Sequence, residues 1–337
     1  MNKETKIIST DMIEEAAECL KSGGLVVFPT ETVYGLGADA LNDDACLNIF
    51  KAKGRPGDNP LIVHIADVES LSMLASEIPQ EAKILMDRFW PGPLTMIFKK
   101  KESVGDTVTA GLKTVAVRFP SNEIAQELIR KSTGFVAAPS ANLSGSPSPT
   151  SIVHVTDDMM NRVDYIIDDE GCEIGIESTV LDVSGDVFKI LRPGAITFSD
   201  IYSVIGDKIE DIPVQSDVKV PQCPGMKYTH YSPKADVTVI CGECEKTTEY
   251  INNILKENKS DKVGVFSYGN GVFENAFCVI NAGQDMKEYA RGLYFNLRQF
   301  DSLGATKVYA QFRCEDGIGI AVKNRLFKAA GNDIIYV

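Results

Sequence analysis

One stretch, residues 28–64, constrains the fold most, because a strand, a sharp turn, a helix and a second strand can be read directly from it. The apolar run before Pro29 predicts a buried strand, and proline ends that strand because it has no backbone N–H. An aspartate pair at 43–44 is typical of a helix N-cap. The predicted elements are a strand at 25–28, a helix at 43–51 and a strand at 61–65.

Two groups of residues flank that helix. Before it, hydroxyl and carboxylate side chains crowd into one turn, where Gly35 and Gly37 are predicted to let the backbone bend or approach a ligand closely. After it, Lys51, Lys53 and Arg55 recur at every second residue. If the chain leaves the helix between the two lysines, extended backbone points all three cations the same way, as a clamp for a polyphosphate. The alternative is a helix C-terminus whose cations complement the helix dipole.

Length and composition limit the class of protein. A chain of 337 residues predicts two domains, and its 44% apolar and 24% charged residues are typical of a globular protein. The net charge of −13 argues against a protein that wraps nucleic acid with a basic surface, so an anionic ligand needs a local cationic pocket. Acidic residues stand where a signal peptide has its apolar core, so we expect a cytoplasmic protein without membrane attachment.

Eight cysteines are scattered along the chain without the spacing of a disulfide framework, which predicts reduced thiols. Cys241 and Cys244 form the one CxxC pair, but a zinc site needs a second pair nearby, and no other cysteines have that spacing. We therefore expect a turn after a strand at this position, and no metal site.

Helix and strand patterns mix without a strict βαβ repeat over residues 1–205, which predicts a mixed, twisted sheet with flanking helices. Trp90 lies among prolines and is expected to anchor the core. Arg118 stands on an otherwise apolar strand, where it needs a buried acid, a set of carbonyls or an anionic ligand. Further predicted elements are helices at 11–22, 67–76, 80–89 and 122–131, and strands at 94–98, 114–119, 135–138, 166–169, 178–183 and 188–191.

The remaining chain divides into a linker and a second domain. Residues 206–234 contain four prolines and no periodic pattern, and they end in a polar, aromatic and basic cluster, which predicts a linker or an active-site lid. Residues 235–337 alternate regularly, which predicts a small Rossmann-like α/β domain with a largely parallel sheet. The expected boundaries are thus 1–205 for the catalytic domain, 206–234 for the linker or lid, and 235–337 for the C-terminal domain.

From the residues alone, the first domain supplies scattered cations and loops of hydroxyl and amide groups, without a Walker motif or a cluster of metal ligands. Chemistry by positioning and charge stabilisation on a phosphorylated substrate fits such a set best. Several motifs in order also resemble the YrdC-like threonylcarbamoyl-adenylate synthases, and the length matches their two-domain form. These motifs are PTETVYGLG from Pro29, KAKGRPGDNPL from Lys51, Ser140-Ala141-Asn142, Glu177-Ser178-Thr179, Arg192-Pro193-Gly194 and HYSP at 230–233.

The resemblance implies an α/β protein with a YrdC-like N-terminal domain that converts L-threonine, bicarbonate or carbon dioxide, and ATP into threonylcarbamoyl-AMP, pyrophosphate and water. Mg²⁺ would accompany ATP. The product would pass to a separate tRNA threonylcarbamoyl transferase, which modifies the adenosine next to the anticodon, and contact of this chain with tRNA would be weak or indirect. Two alternatives stay open: carbamoyl-adenylate chemistry of the hydrogenase-maturation type, and a non-catalytic tRNA-binding module, against which the acidic balance counts.

The resemblance also implies residue roles. Lys53 and Arg55 would be catalytic. Threonine would lie near Thr32, His64, Arg118, Ala138 and Ser178. ATP would lie near Lys51, Arg55, Asn59, Thr114, Ser140, Asn142, Ser148, Arg192 and Tyr231.

Overall fold

The chain forms two compact units, which are described separately. The computed structural model describes residues 3–169, 171–210, 223, 231–257, 262–313 and 316–337. No helix in these ranges combines the length and the apolar character needed to cross a bilayer. The first unit comprises Met1–Ser144, Pro149–Glu173 and Glu177–Tyr228, and the second comprises Gly145–Ser148, Ile174–Ile176 and Thr229–Val337.

Strands and helices of the first unit alternate irregularly, as predicted. Its strands are β1 (Lys6–Ile8), β2 (Val26–Phe28), β3 (Gly35–Asp39), β4 (Ile62–His64), β5 (Leu94–Lys99), β6 (Thr114–Arg118), β7 (Val136–Ala137), β8 (Tyr165–Ile167), β9 (Thr179–Asp182), β10 (Phe188–Arg192) and β11 (Ile209–Glu210). Its helices are α1 (Ile13–Lys21), α2 (Asp43–Lys53), α3 (Leu71–Leu74), α4 (Gln80–Phe89), α5 (Asp106–Thr109), α6 (Glu123–Lys131), α7 (Ile152–Met159) and α8 (Phe198–Ile205).

These strands form one sheet in the order β1-β8-β2-β3-β7-β4-β6-β5-β9-β10-β11. Parallel pairs such as β4–β6 and β5–β9 alternate with antiparallel pairs such as β5–β6 and β9–β10. The predicted mixed sheet is therefore confirmed. The strands predicted at 178–183 and 188–191 are present as β9 and β10, which pair as an antiparallel hairpin. Trp90 is buried in the main core and donates its indole N–H to the Leu94 carbonyl at 2.7 Å, which confirms its role as a core anchor.

Four neighbouring strands, β4, β6, β5 and β9, have one face with polar side chains and one face in the main core. His64 on β4 lies opposite Arg118 on β6. Arg118 also lies opposite Thr95 on β5. On the other side of β5, Thr95 lies opposite Val180 on β9. Paired residues point to the same side of a sheet, so these four side chains share one face. Alternate residues point to the other face and pack in the main core: Val63, Met96, Val117 and Leu181.

The face with the polar residues also carries a small apolar cluster. Ile62, Ile97 and Ala116 lie two residues along the strands from His64, Thr95 and Arg118, and they pack with Val180 and Cys223. Cys223 is fully buried, and it belongs to the stretch predicted as a linker or lid.

The predicted lid is described only at 206–210, 223 and 231–234, and the rest of it lies outside the described residues. The expectation that no regular structure follows residue 205 is wrong at its start. There a 3₁₀ turn at Gly206–Lys208 leads into β11, which pairs in parallel with β10.

The second unit has a regular α/β pattern. Its sheet has the order β14-β13-β15-β12-β16, and every described pairing in it is parallel, which confirms the Rossmann-like prediction. Its elements are β12 (Asp236–Cys241), α9 (Cys244–Glu257), β13 (Val263–Ser267), β14 (Cys278–Asn281), α10 (Met286–Leu303), β15 (Lys307–Phe312), α11 (Ile318–Ala329) and β16 (Ile334–Tyr336).

Two local predictions in the first unit are wrong. The glycines at 35 and 37 lie within β3, where they make room for a core side chain: a Cβ on Gly37 would come within 2.9 Å of the Phe28 ring and of Val136. The predicted bend is therefore absent at these glycines, and their lack of a side chain makes room for packing in the core. The helix predicted at 67–76 is a single turn, α3.

Candidate active site

The turn between β2 and β3 is fixed by a single hydroxyl. The Thr30 hydroxyl donates to the Val33 carbonyl at 2.6 Å and accepts from the backbone N–H groups of Thr32 and Val33. Its oxygen also lies 2.9 Å from the Thr32 hydroxyl oxygen. Hydroxyl side chains stabilise turns in this way, so the residue between the two threonines, Glu31, is held in one place.

Glu31 is the buried acidic partner of Arg118. Glu31 Oε1 lies 2.8 Å from Arg118 Nη2, and each side chain is only 5% exposed. The buried acid expected for this arginine is therefore present, and it comes from the turn after β2.

His64 is a buried neutral residue next to Arg118. Burial, with a smaller contribution from the Arg118 charge, lowers the pKa of His64 to about 3. Its Nδ1 lies 3.1 Å from the Ile62 carbonyl, and its ring meets Phe28 edge-on. The imidazole is uncharged at neutral pH, so it shapes this part of the site without adding positive charge.

Ser178 lies at the centre of a hydrogen-bond network just before β9. Its hydroxyl oxygen is 2.8 Å from that of Thr95, and it accepts from Arg192 Nη2 at 3.1 Å. Arg192 also donates from Nε and Nη2 to the Ser178 carbonyl, at 3.1 and 3.0 Å. The three side chains are buried, and we call them, with His64 and Arg118, the polar row.

Helix α2 separates Lys51 from Lys53, although the alternate spacing predicts that they point the same way. The helix continues through Lys53 and ends at Gly54, which adopts φ +61°. Residues two apart on a helix point in nearly opposite directions, so the clamp predicted from alternate spacing is wrong. Lys51 is exposed, contacts Asn48 and lines a separate surface cavity with Lys3 and Arg162, whereas Lys53 is buried.

Lys53 organises the loop that follows β7. Its ammonium donates to the Ser140 carbonyl and, at 2.6 Å, to the Asn142 carbonyl. The Ser140 hydroxyl donates in turn to the Asn142 side chain. The loop is tied to the turn after β2, because the Ala141 N–H donates to the Tyr34 carbonyl at 2.8 Å. Lys53 thus brings the two predicted ATP-binding loop residues together.

Arg55 and Asn59 lie in the loop after α2. Arg55 Nη2 donates to the Asn59 and Pro60 carbonyls, at 3.3 and 3.2 Å. Asn59 is fully buried, and neither polar atom of its side chain has a hydrogen-bond partner in the described part of the chain. A buried amide left unsatisfied is costly, and it is expected where a ligand completes the site.

The remaining predicted residues fall into two groups. Ala138 is buried and donates its N–H to the Ile62 carbonyl, and Thr114 begins β6, about 13 Å along the strand from Arg118. Ser148 and Tyr231 belong to the second unit. There Ser148 is buried, and Tyr231 adopts φ +72° and stacks on Tyr294 with ring centroids 5.2 Å apart.

The donor set here does not suit a metal held directly by protein. In the described ranges no group of three or more His, Cys, Asp or Glu side chains is arranged to hold a metal ion. A magnesium ion carried on the phosphate oxygens of ATP fits this set, since Mg²⁺ keeps several waters and takes few protein ligands.

Two polar residues of the site were missed from the sequence, Glu31 and Thr95. The sequence did point to an acid for Arg118, but nothing in the pattern said which acid. Thr95 sits in an apolar strand, LTMIF, and only the folded structure shows that its hydroxyl contacts that of Ser178.

Two protein families match successive parts of the chain. Residues 18–194 match the family described as "Telomere recombination", and residues 196–331 match the "Threonylcarbamoyl-AMP synthase, C-terminal domain". The threonylcarbamoyl-AMP synthase of Pyrococcus abyssi is 46% identical over 96% of both chains. That of Bacillus subtilis is 45% identical over 96% of this chain and 94% of its own.

The fold agrees with a solved relative. The crystal structure of P. abyssi Sua5 complexed with L-threonine superposes with a TM-score of 0.91, at 44% identity, and the alignment covers 99% of each chain. The sequence motifs, the two units and the polar row are thus found together in a chain whose relatives match along nearly its whole length. The chain belongs to the threonylcarbamoyl-AMP synthase family, in the form that joins a YrdC-like domain to a C-terminal domain.

Proposed function

We propose that this chain is a threonylcarbamoyl-AMP synthase, an enzyme that joins L-threonine, bicarbonate or carbon dioxide, and ATP into threonylcarbamoyl-AMP and releases pyrophosphate and water. The observation that carries this proposal is the polar row. It places a buried arginine, two hydroxyls and a second arginine on one sheet face, in a fold whose P. abyssi relative was crystallised with L-threonine. The relatives favour this function over the hydrogenase-type and tRNA-binding alternatives.

The chemistry needs positioning more than a strong base. Bicarbonate takes up a proton and gives carbon dioxide and water. The threonine ammonium loses one proton to become an amine, whose nitrogen bonds to the carbon of carbon dioxide and releases a second proton to solvent, which gives a carbamate. A carbamate oxygen then bonds to the α-phosphorus of ATP as the bond to the β-phosphate oxygen breaks, and pyrophosphate leaves. The carbamate already carries its negative charge, so holding two anions together is the main cost.

The cations of the first unit offset that repulsion. Arg55 and Arg192 supply fixed positive charge, and Lys53 holds the Ser140–Asn142 loop in place for the nucleotide. The Asn59 side chain offers one donor pair and one acceptor to a bound ligand. We expect Mg²⁺ to enter with ATP and to neutralise charge on the triphosphate. These groups act by preorganised electrostatics.

The product is a mixed anhydride that needs an acceptor. We expect a separate tRNA threonylcarbamoyl transferase to consume it, and we expect this chain to act in the cytoplasm, where ATP and tRNA are available. Its net charge of −13 agrees with weak or indirect contact with tRNA.

The proposal is tested by pyrophosphate release. The purified chain is incubated with MgATP, L-threonine and bicarbonate, and each substrate is omitted in turn. Release that needs all three supports the proposal. Release that is independent of threonine or of bicarbonate, or no release from a folded chain, would overturn it.

A further inference from the structure

Glu31 and Arg118 form an incompletely bonded ion pair. Glu31 Oε1 lies 2.8 Å from Arg118 Nη2, but neither atom is aligned for a hydrogen bond. Among the residues that the structure describes, neither carboxylate oxygen of Glu31 has a hydrogen-bond partner, and neither do Nε and Nη2 of Arg118. The two charges lie close together while much of their hydrogen-bonding capacity is unused.

Such a pair is costly if it serves structure alone. Burying two charges is repaid only where the geometry is good and further hydrogen bonds satisfy the remaining lone pairs and protons. Both side chains here are 5% exposed, so water reaches them little. Unused donors and acceptors beside a buried pair therefore indicate a ligand that completes it.

Both members of the pair are held rigidly. The Thr30 hydroxyl fixes the turn that carries Glu31, through its bonds to Thr32 and Val33. Arg118 lies on β6 between His64 and Thr95, its neighbours in strand register. A preorganised pair of opposite charges, placed beside polar groups, suits a small ligand that carries both charges itself.

We propose that Glu31 and Arg118 form a zwitterion-binding pair, in which Glu31 accepts from the ammonium group of L-threonine and Arg118 donates to its carboxylate. An α-amino acid carries these two charges on one carbon, so a carboxylate and a guanidinium close together can each meet the group of opposite sign. This inference rests on the proposed function, and it adds Glu31 to the binding site as a residue that selects for the amino group.

The competing account is that Glu31 only holds Arg118 in place. The two accounts differ for ligands that lack one charge. 3-Hydroxybutyrate keeps the methyl, hydroxyl and carboxylate of threonine without its amino group, and 1-amino-2-propanol keeps the amino group without the carboxylate. If Glu31 bonds to the ammonium group, its loss lowers the affinity for threonine and does not change the affinity for 3-hydroxybutyrate. If Glu31 only positions Arg118, its loss weakens both carboxylate ligands equally.

The experiment measures binding of the three ligands by calorimetry to wild-type protein, Glu31→Gln and Glu31→Asp. Glu31→Gln should weaken the binding of L-threonine about 10- to 100-fold, the range for a hydrogen bond to a charged group. The affinity for 3-hydroxybutyrate should change less than about 2-fold. Glu31→Asp keeps the charge but withdraws it by one methylene, so its affinity for L-threonine should lie between those of the wild type and Glu31→Gln. Glu173→Gln removes an exposed carboxylate and should change no affinity.

Each outcome decides the matter. Equal weakening of threonine and 3-hydroxybutyrate, or unchanged threonine affinity in Glu31→Gln, overturns the inference while the proposed function stands, provided that the wild type binds and turns over threonine. If Glu31→Gln does not fold, Glu31→Asp is decisive by the same comparison. A folded wild type that binds no threonine overturns both the inference and the proposed function.

Discussion

The hydroxyl oxygens of Thr95 and Ser178 lie 2.8 Å apart, although 83 residues separate them in the chain. Arg192 reaches the same Ser178 hydroxyl from β10 at 3.1 Å. Three neighbouring parts of the sheet therefore fix the position of one hydroxyl group. A site built on strands is held more accurately than one built on loops, and this supports a role for the Ser178 hydroxyl in recognising the substrate.

Thr95→Val should impair threonine binding and leave the fold intact. Valine keeps the shape of threonine but removes the partner of the Ser178 hydroxyl, so KM for L-threonine should rise about 5-fold, as expected for roughly 1 kcal/mol. The measurement is pyrophosphate release against threonine concentration. Thr109→Val is the matched control, because it removes a buried hydroxyl of α5 that bonds the Gly105 carbonyl. An unchanged KM in Thr95→Val would contradict the role given to this contact.

Lys53→Ala should lower both stability and activity, in contrast to Lys51→Ala. Loss of the Lys53 ammonium leaves the Ser140 and Asn142 carbonyls without this donor, at a cost of about 1–3 kcal/mol in the free energy of unfolding. Lys51 is exposed, so its replacement should change that free energy by less than about 0.5 kcal/mol and retain most activity. Urea unfolding and pyrophosphate release measure the two effects. Equal loss of activity in both variants would restore the clamp of three cations.

Arg55→Ala should abolish most turnover without unfolding the protein. Arg55 is half-buried and donates to the Asn59 and Pro60 carbonyls of its own loop. A half-buried loop side chain outside the core typically contributes little to stability. Removal of one charge-stabilising donor typically costs about 100-fold or more in kcat. Turnover is compared with the thermal midpoint of unfolding, and Arg55→Lys tests whether charge alone suffices. Normal turnover in a stable Arg55→Ala variant would remove Arg55 from the site.

His64 should make the protein sensitive to acid. The folded pKa is lowered to about 3, while an exposed histidine titrates near 6.5, so between these values the unfolded chain binds a proton that the folded chain does not. This residue therefore reduces stability progressively as the pH falls below about 6.5. His64→Gln should show a shallower loss between pH 6.5 and 5, by at most about 1.4 kcal/mol per pH unit. An equal loss of unfolding free energy in the wild type and in His64→Gln between pH 6.5 and 5 would contradict a buried neutral imidazole.

The amino-acid preference should reflect the hydroxyls of the polar row. Serine lacks only the methyl group of threonine, a loss worth about 1 kcal/mol, so it should be a poor but detectable substrate. Valine lacks the hydroxyl and would leave buried polar groups unpaired, so it should be worse than serine. Rates of pyrophosphate release with the three amino acids decide this. Faster release with valine than with serine would show that the pocket does not recognise the hydroxyl.

Much of the fold follows from local pattern. The strand before Pro29, the helix capped near residue 43 and the hairpin of β9 and β10 all rest on short-range signals, namely apolar runs, caps and turns. β3 was missed because its glycines are typical of a turn, whereas tertiary packing against Phe28 requires them in a strand. α8 carries a capping box at Thr197 and Asp200, a signal that the sequence did contain.

The site was less predictable, because strand order brings its residues together. The spacing predicts Lys51 and Lys53 on one side, but α2 continues two residues beyond its predicted end and turns the two side chains to nearly opposite sides. The contact of Glu31 with Arg118 joins residues 87 positions apart, and no local rule pairs them. Motif resemblance supplied most of the predicted residues, and sheet register explains why those on the polar row lie side by side.

The most direct test of the account is the identity of the product. The wild-type chain is incubated with MgATP, L-threonine and carbon-labelled bicarbonate. The nucleotide products are separated, and their masses are determined by mass spectrometry. We expect an adenylate with the mass of threonylcarbamoyl-AMP that carries one labelled carbon and forms in equal amount with pyrophosphate. Pyrophosphate release with an unlabelled adenylate, such as an aminoacyl-AMP, would contradict it.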